Sequence, residues 1–118
     1  MQSLTEINLT SFNTEKGETL TNMFRNCKKL NIINLSSFYT KNVSNLSGMF
    51  EKCLSLESLD LSSFSTIQVS RMIYMFSNFK SLKEINLSSC KISSNSKVTD
   101  MFYGCLHWKV LKIVPMRK

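Results

Sequence analysis

Leu30-Asn31-Ile32-Ile33-Asn34-Leu35-Ser36-Ser37-Phe38, followed by Val43-Ser44-Asn45-Leu46-Ser47-Gly48-Met49-Phe50-Glu51-Lys52-Cys53, is one unit of an internal repeat, and the rest of the chain is copies of it. The pair Met-Phe recurs at Met23-Phe24, Met49-Phe50, Met75-Phe76 and Met101-Phe102, 26 residues apart each time. Leu4, Leu30, Leu56, Leu82 and Trp108 form one column. Ile7, Ile33, Leu59, Ile85 and Leu111 form the next, then Leu9, Leu35, Leu61, Leu87 and Ile113. Phe12, Phe38 and Phe64 recur with Cys90 in the fourth place, and Cys27, Cys53 and Cys105 recur with Phe79 in the third. A fixed period in this range is the mark of a solenoid, in which no unit buries its core alone.

Each unit reads as two halves. In Leu56-Glu57-Ser58-Leu59-Asp60-Leu61, Leu59 and Leu61 alternate with polar residues, the period of a half-buried strand. Val43, Leu46, Met49, Phe50 and Cys53 then fall at steps of three and four, as do Val69, Met72, Met75, Phe76 and Phe79. That stripe predicts a short amphipathic helix, with Ser44 and Ser70 placed to cap it. The Ser-Ser-Phe-x-Thr linker turns the chain between the halves. Strands are expected near residues 4–9, 30–35, 56–61, 82–87 and 108–113, pairing in parallel with right-handed crossovers into one sheet about 20 Å across. The expected architecture is α/β: a right-handed solenoid of four strand-turn-helix coils plus a closing strand, with a parallel sheet on one face. The coils are about 4–29, 30–55, 56–81 and 82–107, the closing strand is 108–114, and the whole of 1–118 is one domain. The first and fourth units look looser, through Glu15-Lys16-Gly17-Glu18 and Lys91-Ile92-Ser93-Ser94-Asn95-Ser96-Lys97. Trp108 is placed to cover the end of the core. The thinly protected first strand suggests a piece of a longer array.

Hydrophobic residues make up 42% of the chain, enough for a core. No apolar run is long enough to span a membrane, and Met1-Gln2-Ser3-Leu4 does not open a signal peptide. The net charge of +7 is uneven: residues 1–79 carry seven Lys or Arg against six Asp or Glu, and residues 80–118 carry eight against two. The basic third holds Lys80, Lys83, Lys91, Lys97, Lys109, Lys112, Arg117 and Lys118. It is a solvated end or a patch for an acidic partner. The four cysteines form no metal or redox motif. A column that accepts Phe79 is apolar, so these thiols read as small buried hydrophobes. A Cys27–Cys53 disulfide stays open on distance alone.

The L-x-x-I-x-L strand phrase and the M-F-x-x-C-x-x-L passage resemble the BspA-type leucine-rich repeats. The likeness is closest to the 26-residue bacterial surface-protein repeats of mycoplasma lipoproteins. It rests on Met23-Phe24-Arg25-Asn26-Cys27, Met49-Phe50-Glu51-Lys52-Cys53 and Met101-Phe102-Tyr103-Gly104-Cys105, and on the strand phrases Leu30 to Thr40 and Leu56 to Thr66. It covers Leu4 to about Val114. The resemblance implies a leucine-rich-repeat fold and a cell-surface or secreted protein that binds host or neighbouring-cell proteins. It implies no enzyme and no cofactor, with the membrane met only through an anchor segment outside this sequence.

On that reading the outward strand residues form ladders on a concave sheet. One is Asn8, Asn34, Asp60, Asn86 and Lys112. Beside it lie Thr10, Ser36, Ser62, Ser88 and Val114, and on the other side Glu6, Ile32, Ser58, Glu84 and Val110. The expected protein-binding residues are Glu6, Asn8, Ile32, Asn34, Ser36, Ser58, Asp60, Ser62, Glu84, Asn86, Ser88 and Lys112. Alternatively Asn and Ser recur only because the unit was duplicated. Asn8, Asn34, Asn42, Asn45 and Asn86 match the N-glycosylation acceptor, as this abundance of Asn and Ser makes expected. His107 stands alone, without ligand or triad spacing, so neither metal nor catalytic chemistry is expected. The expected function is adhesin-like protein binding. The alternatives are a structural spacer, or nucleic-acid or anionic-surface binding through the basic third.

Overall fold

The computed structural model describes residues 6–7, 9, 14, 19–91, 96–105 and 112–114. Among these residues there are five short strands, the first four at the expected period: β1 (Glu6–Ile7), β2 (Ile32–Ile33), β3 (Ser58–Asp60), β4 (Glu84–Asn86) and β5 (Lys112–Val114). All pairing is parallel, but it falls into two sheets, β1-β2 and β3-β4-β5, rather than one of five strands. Glu6 pairs with Ile32 and Ser58 with Glu84, as the columns require. The last strand departs from them. Lys112 pairs with Glu84, Ile113 with Ile85 and Val114 with Asn86, a slip of two residues from the expected alignment. A slip of two preserves the alternation of faces, whereas a slip of one would invert it.

The helical half of the expected unit is not there. Among the described residues there is no helix, so the strand-turn-helix leucine-rich-repeat solenoid is overturned. In the units of β1 to β4, the described residues 20–27, 46–53, 72–79 and 98–105 are runs of tight turns. Their backbone visits the left-handed region twice per unit, four residues apart: Asn22 and Asn26, Gly48 and Lys52, Tyr74 and Asn78, Asp100 and Gly104. A left-handed residue every fourth position cannot continue a right-handed α-helix. It suits the third place of a type II turn, as in the turns closed by Met23 N–H to Leu20 O and Cys27 N–H to Phe24 O. At Gly48 the fit is tight as well as left-handed (φ 66°), because a Cβ there would collide with the Asn22 side-chain oxygen.

The amides between these turn bonds point to the next unit. Leu20, Asn22, Phe24 and Asn26 donate to the carbonyls of Asn45, Ser47, Met49 and Glu51, at 2.8–3.1 Å. Leu46, Gly48, Phe50 and Lys52 donate to Arg71, Ile73, Met75 and Ser77. Met72, Tyr74, Phe76 and Asn78 donate to Lys97, Thr99, Met101 and Tyr103. Ser44, expected as a helix cap, instead offers its carbonyl to the Ser70 N–H at 2.8 Å.

Inside, the apolar columns stack. Phe24, Phe50, Phe76 and Phe102 lie face on face at 5.6, 6.1 and 5.2 Å. Phe38 lies on Phe64 at 6.2 Å. Leu30, Leu46, Met49, Leu56, Leu61 and Ile85 are fully enclosed with them. A threonine column completes the interior. The Thr40 hydroxyl donates to the Ser65 carbonyl at 2.9 Å and accepts from the Ser65 N–H at 2.8 Å. Thr14 does the same with Tyr39, and Thr66 with Lys91. Each buried hydroxyl therefore satisfies two backbone groups of the following unit.

Candidate functional site

The strand face carries most of the candidate binding residues. Glu6, Ile32, Asn34, Ser36, Ser58, Asp60, Ser62 and Glu84 are exposed, while Asn86 and Ser88 are half-buried. Ile32 is the apolar exception, 56% exposed in the middle of a polar surface. The structure assigns Lys112 a place in β5 opposite Glu84, not in line with Asn86. Asn8, Thr10 and Val110 lie outside the described residues, as do Gly17, His107 and Trp108.

The Asn/Asp ladder has a local task that the strand pattern does not show. Asn34 Oδ1 accepts from the Ser36 N–H, Asp60 Oδ1 from Ser62 and Asn86 Oδ1 from Ser88, each at 2.9 Å. Asn45 makes the same loop with Ser47 in the turn half. These side chains end the strand by turning the backbone. The Ser62 hydroxyl, then its N–H, hold the Asp60 carboxyl below its ordinary range by favouring the charged form. Just beyond, the hydroxyls of Ser37, Ser63 and Ser89 donate to the carbonyls of Leu9, Leu35 and Leu61, each at 2.9 Å.

Where the two sheets part, between β2 and β3, the face has a depression of about 270 Å³. Ile33, Asn34, Leu35 and Ser36 line one side, and Asp60, Ser62 and Ser63 the other. Apolar and polar groups converge there. The strand pattern marks Asn34, Ser36, Asp60 and Ser62 as outward and Ile33 and Leu35 as inward, but the break between the sheets, and so the depression, has no sequence signal.

The basic region is only partly visible. Lys80, Lys83, Lys91 and Lys97 are exposed, and Lys83 is tied to Glu57 at 2.8 Å. All four cysteines are buried free thiols, which answers the question of a Cys27–Cys53 bridge. Cys53 and Cys105 donate weakly to the carbonyls of Phe24 and Phe76, at 3.1 Å. Burial pushes the Cys53 thiol up to about 12 and Cys90 to about 11.

One family model matches residues 1–113; it is described as Mycoplasma protein of unknown function, DUF285. Among curated proteins and among solved structures there is no match.

Proposed function

The chain belongs to the DUF285 family, and we propose that it works as a non-enzymatic, adhesin-like protein-binding module of a surface or secreted protein. What supports this reading is the depression between Asn34 and Asp60, flanked by the exposed Ile32 and by rows of short polar side chains. A protein ligand that fills a shallow dent with an apolar anchor and meets a polar rim fits such a surface. Kinship with the BspA-type repeats belongs to the same proposal. It rests on the Met-Phe-x-x-Cys phrase, the strand phrase and the period of 26 residues.

The test must leave the turn-forming Asn34, Asp60 and Asn86 intact, since replacing them disturbs the backbone. Ile32→Asp with Ser58→Arg changes the face without touching those loops. A surface-protein extract is passed over the wild type, this variant and a Lys91→Glu control, and any captured protein is purified and its affinity measured. The expected result is a loss of about tenfold or more for the face variant alone. Equal affinity for all three overturns the reading and favours the spacer. With a DNA duplex as probe, affinity that falls steeply with salt and is weakened by Lys91→Glu would favour the nucleic-acid reading.

A further inference from the structure

We infer that the depression between β2 and β3 receives an arginine side chain of the ligand protein, with its guanidinium on the Asp60 carboxylate and its stem over Ile33 and Leu35. The inference rests on the protein-binding reading above and names what enters the dent. Asp60 brings the charge there; the other residues that line it are apolar or neutral. No cation lines it, so nothing in it attracts an anion. Three other acidic residues stand by a cation: Glu51 lies 3.2 Å from Arg25, Glu57 lies 2.8 Å from Lys83, and Glu84 is opposite Lys112 in register. Asp60 is exposed and has no ion pair among the described residues. Its carboxylate offers roughly four acceptor sites, of which the Ser62 N–H and hydroxyl occupy only some.

The break between the sheets adds a further acceptor. Between β3 and β4, the Leu61 N–H donates to the Asn86 carbonyl at 3.1 Å. The equivalent bond between β2 and β3 would run from the Leu35 N–H to the Asp60 carbonyl, and among the described residues it is not made. Successive residues of a strand inside a parallel ladder bond to opposite neighbours. Since Leu61 turns to β4, the main chain of Asp60 turns to β2. The Asp60 carbonyl therefore opens on the dent beside its own carboxylate.

These groups select the occupant. A wholly apolar side chain would strip water from the Asp60 charge and put nothing in its place. A lysine ammonium is a compact, strongly hydrated point charge. A guanidinium is flat, more weakly hydrated, and holds several donors in a fixed fork that suits a carboxylate with a carbonyl beside it. The methylene stem of arginine lies along apolar surface while its head stays polar, which matches Ile33 and Leu35 beneath Asp60. The anchor is thus apolar along its stem and cationic at its tip, and the exposed Ile32 flanks it.

Asp60→Asn isolates the charge, because Asn34 and Asn86 make the same turn from the same column, each accepting from the N–H two residues on at 2.9 Å. A random peptide library displayed on phage is selected against the full chain, and the recovered peptides are synthesised. Their affinities are measured for wild type, for Asp60→Asn, and for Ile32→Asp with Ser58→Arg. The peptides that the Ile32/Ser58 variant loses should share an arginine. They should bind Asp60→Asn about fivefold to tenfold more weakly. Replacing that arginine by citrulline, its neutral isostere, should weaken binding to wild type by a similar factor, and the two changes together should cost no more than either alone. Circular dichroism and the unfolding midpoint verify that Asp60→Asn folds, and the citrulline exchange gives the same readout on the unaltered protein. Face-dependent peptides that Asp60→Asn holds as tightly, losses that add in the double exchange, or lysine replacing arginine without loss overturn the inference and leave the protein-binding reading standing. A library that yields no peptide dependent on the face overturns both.

Discussion

In the strand half of the repeat, among the described residues, β1 pairs with β2, while β3, β4 and β5 form a second sheet, each strand two or three residues long. In the turn half, four amides per unit bond the next unit without a break from Leu20 to Tyr103. The half that looks like a sheet in the sequence is the discontinuous one, and the half that looks like a helix holds the continuous ladder. Order along the stack therefore resides in the turns, and the strand face is free to open where β2 and β3 part.

Several changes would break or sharpen that contrast. Phe50→Ala removes the ring enclosed between Phe24 and Phe76 and should cost about 3–5 kcal/mol, read from urea unfolding. In the same protein, amide exchange at Leu46, Gly48, Phe50 and Lys52 should be slower than at Ser36 and Ser62. Faster exchange in the turn half would reverse the contrast. Thr40→Val keeps the shape but strands the Ser65 N–H and carbonyl, and should cost about 1–3 kcal/mol. A cost near zero would show that these groups find other partners.

The buried thiols give a smaller effect, with a definite sign. The folded values of about 12 for Cys53 and about 11 for Cys90 lie above the ordinary 9.0, so the folded chain keeps protons that the unfolded chain releases. Stability should be untouched by these groups below about pH 9 and fall as pH rises from there through their folded values. Urea midpoints between pH 8 and 11 check this, and Cys53→Ala should flatten the slope. Smallest is Ser77→Ala. The Ser77 hydroxyl is fully buried without a hydrogen-bond partner among the described residues. Its removal should raise stability by about 1 kcal/mol, a gain in the turn half at a position that bonds only through its backbone.

The strand positions were legible because alternation needs only apolar and polar residues in turn, and Ser58-Leu59-Asp60 and Glu84-Ile85-Asn86 have it. The turn half was misread because apolar steps of three and four describe successive turns as well as a helix. The signal that distinguishes them was present at Asn22 and Gly48, and again at Asn26, Asn78 and Gly104, residues that accept a left-handed backbone. Tyr74 and Lys52 in the same columns obscured it. Of the candidate site, the outward rows were legible, but the bonds from Asn34, Asp60 and Asn86 to their own backbone were not. Nor was the Thr14, Thr40 and Thr66 column read as a clamp, although its period was in view.

By itself the sequence determined the 26-residue unit and which residues would stack on which, since identical units bury identical columns. The tertiary structure decided what those units are made of. An amide at Phe50 can close a helix within its own segment or bond a neighbour at Met75, and composition does not choose between them. The choice falls to the neighbour because a carbonyl waits there in register, and it is this that makes a left-handed residue every fourth position tolerable. Likewise, the two-residue slip at β5 keeps the strand's alternation in phase, so pairing against β4, not pattern, fixed where the last strand sits.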